Sequence, residues 1–521
     1  MKVKQLSSIF ASSVEPTLKR LLIAKMKRIT LVLELLLLVS LAVVAQIRGN
    51  EIVVQVQPNH ANWNYRLGEE AVFNVAVLKN GCPLPQAKVD IEAGPVMYAD
   101  IKRSGVVLKD GTTTWKGTMK TAGFYRLKVW AHVGEKTYEG LCTVGYAPET
   151  LQPTDNCPAD FDQFWADAYE KASYYPLEAH RRLLPERCTE RVQVYEVSFN
   201  GLNPGNRIYG ILCIPTAYED KRPALLRVPG AGVRPYQGDI EQANIGAITL
   251  EIGVHGIPVT MPQQVYDDLL HGALNRYWET NLDNRDQMAY KRIFIGALRA
   301  VDYLTQLPEW NGRELGVTGA SQGGMLSLVC GALHPAVTFV GVVHPAMCDL
   351  TASLHGKACG WPHYFYGQKQ PDAKKVATSG YYDGVNFARR LTIPCWFSFG
   401  YNDEVVPPNS AYAAYNVTQG LRSLKLYPAT GHFWFQEQWE EWREWLRKQL
   451  KKPTPSPSPR GEGSNIPCEF CEKCHDGQMK VELKHTYIRH NMSLCSSVKK
   501  TCISVKTACV SVKRSQANIS V

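Results

Sequence analysis

A chain of 521 residues has room for two to four domains and for a sizeable core. Its net charge of +10 gathers toward the two ends, and the nearly balanced middle excludes a nucleic-acid surface there. Of 15 cysteines, nine are spread through the body without repeated spacing, which argues against a metal site or a disulfide framework, and six crowd between Cys468 and Cys509.

Residues 1–45 read as a targeting segment. Met26-Lys-Arg precedes a Leu- and Val-dominated run that ends at Ala45, with a secretory cleavage pattern just before Gln46. The run is about seventeen residues long and interrupted by Glu34, short for a membrane span. A cleaved signal is therefore expected, with a secreted or periplasmic product and no stable membrane anchor. The first twenty-five residues read as an upstream start added to a signal that begins at Met26.

Residues 46–150 alternate with period two between short turn signals. Ile52–Val56, Ala71–Leu78, Ala87–Glu92, Thr112–Trp115 and Phe124–Trp130 read as strands, with Asn80-Gly81 and Asp110-Gly111 as turn dipeptides. Some seven strands in about a hundred residues predict an all-β, immunoglobulin-like sandwich, whose expected role is to brace its neighbour.

From residue 151 to 452 the pattern becomes α/β. Pro158–Tyr169 has helical spacing, and Val192–Phe199 with Arg207–Ile214 reads as a strand pair. Apolar strands then alternate with helices: Ala224–Val228, Ala247–Ile252, Leu315–Thr318, Val337–Val343, Pro394–Phe399 and Leu424–Tyr427. This predicts a mainly parallel sheet covered on both faces. The last helix, Phe435–Leu450, carries Trp439, Trp442 and Trp445, expected on one side as core packing. After Lys452 a Pro/Ser linker opens a tail, 453–521, expected to be disordered. Its Cys468-x-x-Cys471-x-x-Cys474-His475 contains the haem-attachment spacing C-x-x-C-H and also suits zinc, yet about forty-six trailing residues are few for a haem pocket.

The chemistry-bearing stretch is Gly319-Ala-Ser321-Gln-Gly323-Gly, between an apolar strand and a helical pattern from Gln322 to Leu333. G-x-S-x-G in that setting is the nucleophile elbow of the α/β-hydrolase fold. A serine needs a base, and the base needs a carboxylate to set its tautomer. In that fold they follow in the order Ser, Asp or Glu, His, at strand ends. Asp403 follows the strand Pro394–Phe399, and His432 follows the strand Leu424–Tyr427. Glu404 ranks second as the acid and Asp349 third; His344 and His255 read as structural. The oxyanion hole is expected from the N–H of Gln322 and that of Ala231, in Pro229-Gly-Ala-Gly-Val. This chemistry requires no cofactor and no metal.

The region from about 156 to 450 resembles the acetyl xylan esterase and cephalosporin-C deacetylase group, carbohydrate esterase family seven. The resemblance rests on Asp160-Phe-Asp-Gln-Phe-Trp, Arg299-Ala-Val-Asp-Tyr-Leu, Gly316-Val-Thr-Gly-Ala-Ser-Gln-Gly-Gly, Tyr381-Tyr-Asp-Gly-Val-Asn-Phe-Ala and Asp403-Glu-Val-Val-Pro-Pro. It implies a Ser-His-Asp esterase acting on an acetylated carbohydrate, a homo-oligomer, often a hexamer, and no metal. The chain departs from the family pattern at three places. Pro229-Gly230-Ala231 stands for His-Gly-Tyr, Val254-His255-Gly256 lies where Arg-Gly-Gln is expected, and His432-Phe433 replaces His-Glu. Two other readings share parts of the pattern: a peptidase of the same fold, and a carbohydrate-binding protein without activity.

Overall fold

The computed structural model describes residues 51–450. The expected signal and upstream start, and the linker and cysteine-rich tail, lie outside the described residues.

The first part is built from nine strands among the described residues: β1 (Ile52–Pro58), β2 (Asn64–Tyr65), β3 (Ala71–Lys79), β4 (Cys82–Pro83), β5 (Ala87–Pro95), β6 (Ile101–Leu108), β7 (Thr112–Gly117), β8 (Gly123–Val133) and β9 (Lys136–Tyr146). One sheet joins β1, β3, β4 and β7, and the other runs β2-β9-β8-β5-β6. Period-two alternation turns Phe73, Val75 and Val77 of β3, and Leu127 and Val129 of β8, into one apolar core. Some seven strands were expected and nine are found. β6 escapes the pattern because it sits at a sheet edge, where nearly every residue is exposed.

The second part carries α1 (Phe161–Ser173), β10 (His180–Leu183), β11 (Val192–Asn200), β12 (Arg207–Pro215), β13 (Arg222–Arg227), α2 (Ile240–Asn244) and β14 (Ile248–Gly253). Next come α3 (Gln263–His271), α4 (Ala289–Thr305), β15 (Trp310–Ala320), α5 (Gln322–Leu333) and β16 (Phe339–Val343). The chain ends with α6 (Ala373–Tyr381), α7 (Gly384–Ala388), β17 (Cys395–Phe399), α8 (Pro408–Val417), β18 (Arg422–Leu426) and α9 (Gln436–Gln449).

Its sheet has the order β10-β11-β12-β14-β13-β15-β16-β17-β18. The pairings from β10 through β14 are antiparallel, and the five from β14 to β18 are parallel, so the sheet is mixed. The central parallel strands β13, β16 and β17 are buried on both faces, whereas β18, at the sheet edge, is only half-buried. Val340 and Val342 of β16 join the core under α4 and α5, while Phe339 and Val343 face Trp442 and Leu446 of α9. The tryptophan stripe is narrower than expected. Trp442 is buried but Trp439 is 36% exposed, because steps of three residues drift by about 60° around a helix. The nine cysteines among the described residues are all unpaired. No helix among the described residues is long and apolar enough to cross a membrane.

Parallel order has one consequence for chemistry. The carboxyl ends of β15, β16, β17 and β18 lie side by side, so the segments after them meet on one edge of the sheet.

Candidate active site

Ser321 sits between β15 and α5 with φ 60° and ψ −120°, a strained conformation for a residue with a side chain. It persists because the surroundings leave no alternative. A Cβ at Gly319 would lie 2.5 Å from the Val228 carbonyl oxygen, and one at Gly323 would lie 2.4 Å from the same atom. Ser321 N–H donates to Val343 O at 3.0 Å, and Ser321 O accepts from Ala346 N at 3.0 Å. The elbow is thus clamped by the segment after β16.

The turns that carry Asp403 and His432 are stapled together. Tyr401 and Asn402 both donate main-chain N–H bonds to Pro428 O, at 3.0 and 3.3 Å. A Cβ at Gly400 would collide with the main chain of Thr430. This brings Asp403 Oδ2 to 2.8 Å from His432 Nδ1. Asp403 Oδ1 accepts from the N–H groups of Val405 at 2.9 Å and Val406 at 2.8 Å. Asp403 is fully buried, whereas the His432 side chain is 26% exposed. A carboxylate can only accept, so Nδ1 carries the proton and Nε2 presents a lone pair.

His344 links this pair to the serine. It follows Val343, and its ring lies 4.3 Å from that of His432. Burial first, and then the neighbouring His432, push its pKa down to about 3, so it packs against His432 as a neutral, tilted ring at neutral pH. His344, Asp403 and His432 hold ligating atoms within 4.8 Å of one another, a spacing that would suit a cation. The bonding favours a hydrogen-bonded pair instead, since both Asp403 oxygens are already engaged. No hydrogen bond joins Ser321 Oγ to His432 here; such contacts tighten when substrate is bound.

The other sequence candidates fall elsewhere. Glu404 turns away and accepts from Lys128 at 2.7 Å. Asp349 accepts from Thr154 N at 2.9 Å, and burial together with Asp383 raises its pKa to about 6.

The loop after β13 packs against the elbow. Gln322 Nε2 reaches Pro229 O at 3.4 Å, and a Cβ at Gly230 would lie 3.4 Å from Ala320 O. Ala231 therefore lies close to the first turn of α5, where Gln322 N–H has no intrahelical acceptor. Two tyrosines that the sequence did not single out hold this arrangement. Tyr277 and Tyr290 both donate to Gln322 Oε1, at 2.6 and 2.9 Å, and Tyr277 OH accepts from Gly232 N at 3.4 Å. His255 donates through Nε2 to Gly232 O at 3.1 Å, and burial lowers its pKa to about 4. Nothing in the local sequence marks Tyr277 or Tyr290, since both act through contacts more than thirty residues away.

A strained serine elbow on a mixed sheet flanked by helices belongs to the α/β-hydrolase architecture, and this protein is a carboxylic ester hydrolase of that class. The same fold is seen in the acetyl xylan esterase from Paenibacillus sp. R4, with a TM-score of 0.51 and 24% identity over 58% of this chain and 98% of that one. Acetyl xylan esterase 1 from Thermoanaerobacterium sp. JW/SL YS485 matches with a TM-score of 0.50 and 25% identity, over 58% of this chain and 97% of that one. The chain belongs to the acetyl xylan esterase family, whose pattern it matches over residues 148–449. It is 34% identical over 400 residues to acetyl esterase Axe7A of Xylanibacter ruminicola, covering 76% of this chain and 90% of that protein.

Proposed function

We propose that this enzyme removes acetyl groups from acetylated polysaccharide or sugar by a Ser321-His432-Asp403 triad and an acetyl-serine intermediate. The observation that carries the reading is the Asp403–His432 bond of 2.8 Å at the sheet edge where the strained Ser321 also stands. His432 Nε2 takes the Ser321 proton as Oγ attacks the acetyl carbonyl. Asp403 keeps Nδ1 protonated and stabilises the imidazolium. The N–H groups of Gln322 and Ala231 receive the oxyanion at the positive end of α5. His432 then gives that proton to the sugar oxygen as the acyl C–O bond breaks, and the sugar leaves with a free hydroxyl. Water, deprotonated by His432, releases acetate and restores the serine.

The names of the solved relatives and the family match support a xylan-type substrate. Export of the enzyme is supported by residues 1–45, and an immunoglobulin-like sandwich by the paired sheets of β1–β9. A homo-oligomer is part of the same reading.

The test is acetate release from acetylated xylan by the enzyme and by Ser321→Ala. Turnover should fall by about 10⁴-fold or more in the variant. A variant that still releases acetate at a substantial fraction of the parent rate would dismiss Ser321 as the nucleophile.

A further inference from the structure

We propose that Arg126, on the N-terminal domain, is a positioning residue for the active site: it holds the main chain of the acid turn so that Asp403 meets His432. The inference rests on the reading of Ser321, His432 and Asp403 given above. Arg126 lies before residue 148, where the family match begins.

The argument starts from the two faces of β8. Tyr125, Leu127 and Val129 point into the core of the N-terminal domain. Phe124, Arg126 and Lys128 therefore point the opposite way, toward the α/β part. Phe124 is buried in the α/β core, its ring 4.9 Å from that of Tyr401. Two residues on, Arg126 Nη2 donates to the carbonyl oxygens of Asp403 at 2.8 Å and Tyr401 at 3.2 Å. Its Nε donates to Thr143 Oγ1 on β9 at 2.7 Å, which fixes the guanidinium plane. Lys128 then pairs with Glu404 at 2.7 Å. From β9, Thr143 N–H donates to Asn402 Oδ1 at 2.8 Å. Each residue from Tyr401 to Glu404 is tied to the N-terminal domain.

Bracing alone would need only apolar contact of the kind Phe124 supplies. A guanidinium with 11% of its side chain exposed, aimed at the carbonyl of the acid itself, does something narrower. Charge-assisted hydrogen bonds of this kind are short and directional. They set the main chain from which the Asp403 carboxylate projects, while the carboxylate oxygens remain with His432, Val405 and Val406. Arg126 touches no reacting atom and acts through Asp403. Small displacements of a catalytic constellation are costly in rate, so this main-chain contact is worth more to turnover than to substrate binding.

The test is steady-state acetate release by the full-length enzyme. Arg126→Ala should lower kcat by about tenfold to a hundredfold and leave KM within about twofold. In an Asp403→Asn background the same substitution should cost less than about twofold, because the group through which Arg126 acts is already disabled. Lys102→Ala, at an exposed ion pair on β6, should match the parent. Ser321→Ala, run beside them, separates the two ideas: turnover retained there sinks the triad reading, whereas turnover lost there beside a parent-like Arg126→Ala overturns this proposal alone. If Arg126→Ala does not yield folded protein, Asn402→Ala cuts the second tie and is judged by the same criteria. A parent-like kcat, or equal losses with and without Asp403, would overturn the proposal.

Discussion

Replacing Asp403 by Asn tests the core of the site, because the two oxygens of the carboxylate have different partners. Oδ1 faces the N–H groups of Val405 and Val406 at 2.9 and 2.8 Å, so the amide oxygen of the asparagine must take that place. The NH₂ group then points at His432 Nδ1, where the carboxylate oxygen stood at 2.8 Å. Two donors cannot face each other, so the imidazole must keep its proton on Nε2. That tautomer cannot accept the Ser321 proton. The loss should approach 10⁴-fold in kcat, or about 5 kcal/mol of transition-state stabilisation. Stability should hardly change, since size and both amide bonds are kept. Asp403→Ala should differ: it leaves the buried Val406 N–H unpaired and the half-buried Val405 N–H without its partner, and should cost about 1–3 kcal/mol of stability in addition to activity. The assay pairs acetate release with denaturant unfolding of both variants. A kcat for Asp403→Asn within tenfold of the parent would refute the tautomer argument.

Other consequences follow from residues around the site. Tyr277→Phe removes one of the two donors to Gln322 and an acceptor for Gly232; kcat should fall about tenfold, roughly the value of one hydrogen bond, with KM little changed. Trp442→Ala opens a cavity under the elbow and orphans Thr318 Oγ1, its partner at 3.2 Å; unfolding free energy should drop by about 3–5 kcal/mol, read from the denaturant midpoint. The buried histidines predict acid sensitivity. His255, at about 4 in the native enzyme against 6.5 when free, takes up a proton on unfolding between those values. Its contribution is intact above pH 6.5 and is lost on acidification, by about 3 kcal/mol on reaching pH 4. Unfolding titrations at several pH values should show a shallower acid limb for His255→Gln than for the parent.

The sequence by itself determined those features that depend on near neighbours in the chain. Period-two alternation marks β3 and β8, helical spacing marks α1 and α9, and the small residues around Ser321 mark the elbow, since each reflects local backbone geometry. Asp403 and His432 could be singled out because apolar strands followed by Gly turns identify strand ends. Only the tertiary structure decided the rest. The antiparallel edge from β10 to β14 depends on which strands pair, and pairing is a long-range outcome. Glu404 and Asp403 are neighbouring carboxylates that the sequence cannot rank by geometry, and only the folded structure shows one paired with Lys128 of β8 and the other facing His432. Tyr277, Tyr290 and Arg126 acquire their positions from contacts across 45, 32 and 277 residues, distances over which no local periodicity carries information.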